Sequence, residues 1–409
     1  MSAPAPVVVT GIGIVAPNGI GTEEYWSATL AGKSGLGVIQ RFDPHGYPVR
    51  VAGEVLAFDA AAHLPRRLLP QTDRMTQHAL VAAEWALADA GLEPEKEDEY
   101  GLGVLTAGGS GGFEFGQREM QKLWGTGPER VSAYQSFAWF YAVNTGQISI
   151  RHGMRGHSSV FVTEQAGGLD ATAQAARLLR KGILDTVLTG GFEASLCPWG
   201  LVAQIPNGLL SEATDPHLAY LPFDARATGY VPGEGGAMVV AERADSAHER
   251  DAATVYGKIA GHASTFDARP GTGRPTGLAR AIRLALDDAR VAPEDVDVVY
   301  ADAAGVPALD RAEAEALIGV FGPRAVPVTA PKTMTGRLSA GGGALDVATA
   351  LLSIRDHVVP PAVGTRAPAP ELDIDLVLDQ PRELEVSTAV VVARGMGGFN
   401  SALVVQRHL

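Results

Sequence analysis

The segment Val160-Phe161-Val162-Thr163-Glu164-Gln165-Ala166-Gly167-Gly168-Leu169-Asp170 constrains this chain more than any other. A run of β-branched and apolar residues, Ser159 to Thr163, predicts a strand that enters a turn. Small residues then open an Ala-rich helix that extends to about Lys181. A strand delivered into a tight turn at a helix N-terminus lifts one side chain into a site, with backbone N–H groups and the helix dipole beside it. Such an elbow ordinarily carries a Ser or Cys nucleophile. Here the position holds Gln165, and an amide cannot form the acyl-enzyme that the elbow otherwise supports.

Strands and helices alternate on both sides of this segment. Residues 7–16 predict a buried strand with glycine breaks. Its Gly11-x-Gly13 lacks the third glycine and the acidic residue that a dinucleotide site needs. A helix is expected over 72–90, capped by Thr72 or Asp73 and stopped at Gly91. A buried strand at 102–107 runs through Gly108-Gly109-Ser110-Gly111-Gly112 into a helix from Phe113 to Trp124. Residues 134–150 carry Tyr134, Phe137, Trp139, Phe140 and Tyr141, a run that suits either core or a subunit interface. Residues 186–191 predict another buried strand, and a Gly-rich loop at 229–237 leads into a strand from Met238 to Ala241.

A polar stretch, Glu242 to Ala253, divides the chain into residues 1–250 and 251–409, and the organisation then repeats. Strands are expected at 256–261 and 296–301, helices from Asp310 to Phe321 and after Gly343, and a strand pair at 388–393 and 402–406. This alternation implies an α/β fold with predominantly parallel sheets buried on both faces.

Composition removes several functions. Hydrophobic residues at 46% and charged ones at 19% describe a packed globular chain. A net charge of −13 with no basic block argues against nucleic acid and anionic membranes, but leaves room for an acidic partner on a local Arg cluster. No run approaches the ~18 apolar residues of a membrane span, and residues 1–6 lack the features of a signal peptide. One cysteine, Cys197, excludes an internal disulfide framework. These features point to the cytosol. Pro198 follows Cys197, no helix start is indicated and no base is marked nearby, so a small buried hydrophobe is expected there. The histidines show no metal-ligand spacing, and neither a metal nor a cofactor of its own is expected.

The chain resembles the β-ketoacyl synthases of the thiolase fold, and among them the chain length factors, the ketosynthase-like partner subunits of bacterial type II aromatic polyketide synthases. The stretch Glu164 to Asp170 is similar to that family's nucleophile motif with Cys changed to Gln. The loop 229–237 is similar to its signature between the two halves. Asp302-Ala303-Ala304-Gly305-Val306 stands where the family has Asn-Ala-His-Gly-Thr, so Ala304 replaces one histidine. Lys332-Thr333-Met334-Thr335-Gly336-Arg337 stands for Lys-x-x-x-Gly-His, keeping Lys332 and replacing the second histidine by Arg337. The closing loop, Gly395-Met396-Gly397-Gly398-Phe399-Asn400, is kept with Met396 in place of the usual Phe.

The resemblance implies a duplicated five-layer αβαβα architecture with two mixed, mostly parallel sheets. It also implies an active ketosynthase α subunit as heterodimer partner. Acyl carrier protein brings the phosphopantetheine, and a poly-β-ketone grows in a tunnel at the interface. A condensing synthase needs a thiolate, an oxyanion hole and two histidines, and three of those positions are changed here on an intact scaffold. Phe113, Gly116 and Met120 share a helix face and fall where the family carries tunnel-gating residues, with Trp199 a further wall candidate. Gly116 and Met120, small or pliable, suggest a comparatively long tunnel. Two readings compete with the chain length factor: a free-standing enzyme, either a malonyl-ACP decarboxylase acting through Gln165 or a condensing homodimer, and a pure scaffold. The partner for a buried Arg337 is not identified by the sequence.

Overall fold

The computed structural model describes residues 5–269 and 272–408. Residues 1–4, most of the stretch weighed above for a signal peptide, lie outside them. In the first half the main strands are β1 (Val7–Ala16), β2 (Leu102–Ala107), β3 (Ser158–Phe161), β4 (Thr186–Glu193) and β5 (Gly235–Arg243). The second half repeats them as β6 (Gly257–Phe266), β7 (Val298–Tyr300), β8 (Pro327–Thr329), β9 (Thr388–Gly395) and β10 (Phe399–Gln406). The strand orders β1-β5-β4-β2-β3 and β6-β10-β9-β7-β8 are the same arrangement twice. The sheets are mixed: β2, β3 and β4 run parallel, whereas β5 is antiparallel to both of its neighbours, and β10 likewise. The halves meet edge to edge where Val8 and Val9 of β1 pair Lys258 and Gly257 of β6.

Helices α1 (Arg74–Asp89), α2 (Phe113–Thr126), α3 (Val143–His152), α4 (Gly167–Arg180), α5 (Pro198–Gln204), α6 (Leu278–Ala289), α7 (Pro307–Phe321) and α8 (Ala340–Asp356) complete the frame. α1 packs on β1 and β5, α6 on β6 and β10, and α4 with α8 fills the layer between the sheets. The glycines within the strands follow from this packing. A Cβ on Gly11 or Gly13 would lie 2.1 or 2.0 Å from carbonyl oxygens of α1, and one on Gly261 would lie 2.4 Å from a carbonyl of α6. The Gly-x-Gly of β1 is therefore a helix-packing device.

Helix α8 is buried at every residue from Ala340 to Ile354, as a helix between two sheets must be. It begins at Ala340, earlier than its glycines suggested. Gly341 and Gly342 lie within the helix and are glycine because a Cβ there would strike the Gly235 carbonyl or the Gln165 side chain. Of the two readings left open for the aromatic run, core is disfavoured: Tyr134, Trp139, Phe140 and Tyr141 are 36–47% exposed, and Phe137 alone of the five packs on the core. Among the described residues no helix is long and apolar enough to cross a membrane.

Candidate functional site

The predicted elbow is present. β3 ends at Phe161, Glu164–Ala166 makes one 3₁₀ turn, and α4 starts at Gly167. Gly168 crosses α8 so closely that a Cβ would lie 2.3 Å from the Ala344 nitrogen, which explains why small residues follow the turn. Gln165 is 1% exposed, and neither amide atom has a hydrogen-bond partner within the protein. Its amide rests against Gly342, where a Cβ would lie 2.4 Å from Nε2. Glu164 takes a left-handed φ of 52°. Its Oε2 accepts the N–H of Met396 at 2.7 Å, so the closing loop is tied to the turn by the residue beside Gln165.

The two depleted motifs are linked through charge. Arg337 and Asp302 are buried and form an ion pair, Nη1 to Oδ2 at 3.0 Å and Nη2 to Oδ1 at 3.2 Å. Arg337 also donates to the carbonyls of Asp302 at 2.9 Å and Arg394 at 3.1 Å, and its guanidinium lies 5.7 Å from the Tyr230 ring centroid. Burial is the largest single influence and works against this charge, but the Asp302 charge and hydrogen bond, together with Tyr220 and Glu164, outweigh it and hold Arg337 firmly protonated. The partner that the sequence left open thus comes from the other depleted motif, two residues before Ala304. A readable signal existed: a new Asp in one motif beside a new Arg in the other. Ala304 itself is 2% exposed.

The 302–305 loop keeps its shape without a histidine. Glu313 of α7 accepts the N–H groups of Asp302 at 2.7 Å and Ala303 at 2.8 Å, and Asp310 accepts those of Gly305 at 2.9 Å and Phe223 at 2.8 Å. Burial raises Asp310 to about 6 and, with the Asp302 charge adding to it, Glu313 to about 7. Lys332 pairs with Asp346 of α8 at 2.8 Å and donates to the Ala301 carbonyl, with both side chains at most 5% exposed. Burial pushes the Asp346 carboxyl up while Lys332 pulls against it.

Two cavities of about 330 and 320 Å³ adjoin at Glu164, Tyr230, Arg337, Met396 and Phe399. The first passes Ser110 and Glu193 and is walled by Phe113, Gly200 and Gln204. The second lies under Gly395–Gly398 beside Asp302 and Ala304. Gln165 lines neither. Met396 is 48% exposed on the hairpin between β9 and β10, which turns through Gly397 at φ 87° and Gly398 at φ 105°.

Of the four tunnel candidates only Phe113 lines a cavity; Gly116, Met120 and Trp199 line neither. Phe113 reaches the first cavity directly. Trp199 stacks on it with centroids 4.9 Å apart and planes at 9°, Gly116 lies beneath Trp199, and Met120 is half-buried one turn further along α2. Asp73, one of the two expected caps, holds this helix together with residues that sequence reasoning missed. Asp73 caps α1 through the Met75 N–H and accepts the Phe115 N–H, both at 2.8 Å. Arg41 joins Glu114 to the buried Glu234. Glu193 accepts the Gly109 and Ser110 N–H groups at 2.9 and 3.1 Å. An acidic residue closing an otherwise apolar buried strand was the available signal for Glu193.

Cys197 calls for a correction. A helix does start beside it: α5 begins at Pro198, with Pro in its first turn, and Cys197 Sγ accepts the Gly200 N–H at 3.4 Å. Burial pushes its thiol pKa up, the opposite of an activated nucleophile. Among the described residues no group of His, Cys, Asp and Glu could hold a metal.

Comparison with known proteins fits this architecture. Residues 5–247 match the β-ketoacyl synthase N-terminal domain and residues 256–366 its C-terminal domain. The tetracenomycin polyketide synthase ketoacyl synthase beta subunit of Streptomyces glaucescens is 90% identical over 408 residues, covering 100% of each chain. The 3-oxoacyl-[acyl-carrier-protein] synthase 2 of Coxiella burnetii is 34% identical over 98% of each. Among solved structures, the ishigamide ketosynthase/chain length factor superposes with a TM-score of 0.91 at 28% identity, covering 100% of each chain. A type II PKS acyl-carrier protein in complex with its ketosynthase bound to the hexaketide gives a TM-score of 0.89 at 28% identity, over 99% of this chain and 100% of that one.

Proposed function

We propose, since the chain belongs to the β-ketoacyl synthase family in its branch of chain length factors, the ketosynthase beta subunits of type II polyketide synthases, that it pairs with a separately encoded active ketosynthase. In that heterodimer it sets how long the poly-β-ketone grows. The observation that carries this reading is a preserved cavity beside a dismantled reaction centre. Phe113 still walls a 330 Å³ space, whereas the thiol and both histidines have become Gln165, Arg337 and Ala304, the first two committed to packing and charge within the chain.

A thiolase-fold subunit without its nucleophile can still complete a pseudo-symmetric dimer with an active copy. The exposed rings of Trp139, Phe140 and Tyr141 suit such an interface. Malonyl and growing acyl units arrive on the phosphopantetheine of acyl carrier protein, all within the cytosol. The chain extends from the partner's thiol until side chains such as Phe113 stop it. Decarboxylation through Gln165 is less well supported, because that amide faces Gly342 and borders neither cavity.

The test is to co-express this chain with the ketosynthase encoded beside it, purify through a tag on one subunit and weigh the native complex. An equimolar heterodimer is expected. A stable homodimer that excludes the ketosynthase would refute the reading.

A further inference from the structure

We propose that Trp139, a loop residue, is the stop that ends the tunnel beyond Phe113; the proposal rests on the chain-length reading above and identifies the specificity-determining side chain within it. Gly116 invites the opposite view, because a glycine on the tunnel helix suggests open room. The space is already taken. A Cβ on Gly116 would lie 2.8 Å from Trp139 Cδ1, 3.3 Å from its Nε1 and 3.0 Å from Trp199 Cζ3. The glycine admits two indoles onto the helix.

These rings form a continuous stack. Phe113, on the cavity wall, lies 4.9 Å from Trp199, and Trp199 lies 6.3 Å from Trp139 with planes at 19°. Each layer supports the next, and Trp139 is its outer member, 44% exposed. Its backbone is fixed to the same helix, because the Gly112 N–H donates to the Trp139 carbonyl at 3.1 Å. The loop backbone is thus pinned at the start of α2 and the indole rests one turn further on, over Gly116. A chain that passed Phe113 along α2 would meet this indole before it reached Met120. Stacked aromatic pairs gain stability beyond the area they bury, so the stack resists displacement by a flexible polyketide.

The experiment uses the chain assembled with its ketosynthase and supplied with carrier protein and malonyl units, with product length read by mass spectrometry. Trp139→Ala is expected to lengthen the product by at least one two-carbon unit, and Gly116→Leu added to Trp139→Ala, which refills the space, to return it to the parent length. Phe113→Ala serves as the control. If Phe113→Ala lengthens the product and Trp139→Ala leaves it unchanged, Trp139 is not the stop and the tunnel reading survives. If neither changes it, the tunnel reading itself fails. Should Trp139→Ala not assemble, Trp139→His, which retains a smaller ring, is assayed in the same way; an unchanged product overturns the proposal.

Discussion

Restoring a histidine at Arg337 is expected to damage the protein unless Asp302 is changed with it. Arg337→His removes the bidentate partner of a carboxylate that is 2% exposed, together with two donations to backbone carbonyls. Breaking a buried pair from one side typically costs about 3–5 kcal/mol, because an uncompensated charge stays behind. With an unfolding entropy of about 2.1 cal/mol/K per residue over 409 residues, this corresponds to a fall in Tm of roughly 3–6 °C. Asp302→Asn alone leaves the guanidinium unpaired and is expected to cost a similar amount. The double variant removes both charges, and replacing a buried pair by neutral groups is often close to neutral. Its melting point is expected within about 1–2 °C of the parent by the same conversion. Thermal melting of the purified complex, run as a double-mutant cycle, measures the coupling. The reasoning is refuted if Arg337→His melts with the parent, or if the double variant loses the sum of the two single losses.

Lys332→Met, which strands the buried Asp346, is expected to cost a comparable ~3–5 kcal/mol, and Lys332→Met with Asp346→Leu to recover most of the soluble yield; equal losses in both would count against the pair. Gln165→Ala is expected to leave product length and yield within about twofold, since the side chain is packed away from both cavities; a fall of ten-fold or more (~10²–10⁴ being the usual cost of losing an acid–base group), with acetyl-ACP formation lost in parallel, would favour the decarboxylase instead. Burial raises Glu313 from 4.5 to about 7, so the folded chain holds a proton that the unfolded chain has released. The stabilisation from this group is complete below the unfolded value and is lost as pH rises through about 7. Glu313→Gln should therefore flatten that part of the melting-temperature profile, and an unaltered slope would rule the group out.

The periodic parts of the chain were legible because local pattern and burial agree there. The elbow, the strands at 7–16 and 102–107, and the helix from Phe113 follow from residue type alone. Glycines misled wherever tertiary contact decided their role. Gly341 and Gly342 looked like a boundary and lie inside α8, glycine there only because a strand and Gln165 press on it. Gly116 looked like space and is a seat for two indoles. The aromatic run at 134–141 has the composition of a core, but it caps a surface that one chain alone does not cover. Family resemblance located Arg337 and Ala304, yet only the packed structure joined Arg337 to Asp302, since an ion pair between segments 35 residues apart leaves no periodic trace.

Strand β3 is the last in the strand order and has no neighbour on its outer side among the described residues, with the exposed Trp139, Phe140 and Tyr141 also uncovered. An unpaired edge next to bare aromatic rings is what chains aggregate through. On the chain-length reading proposed above, a copy made in excess of its ketosynthase is expected to be lost to precipitation or proteolysis, and a shortage to idle the ketosynthase. The cell's supply of active synthase is then governed by the scarcer of two messages. Balanced translation of the two genes, more than the strength of either promoter, becomes the quantity to adjust when this system is moved into a new host.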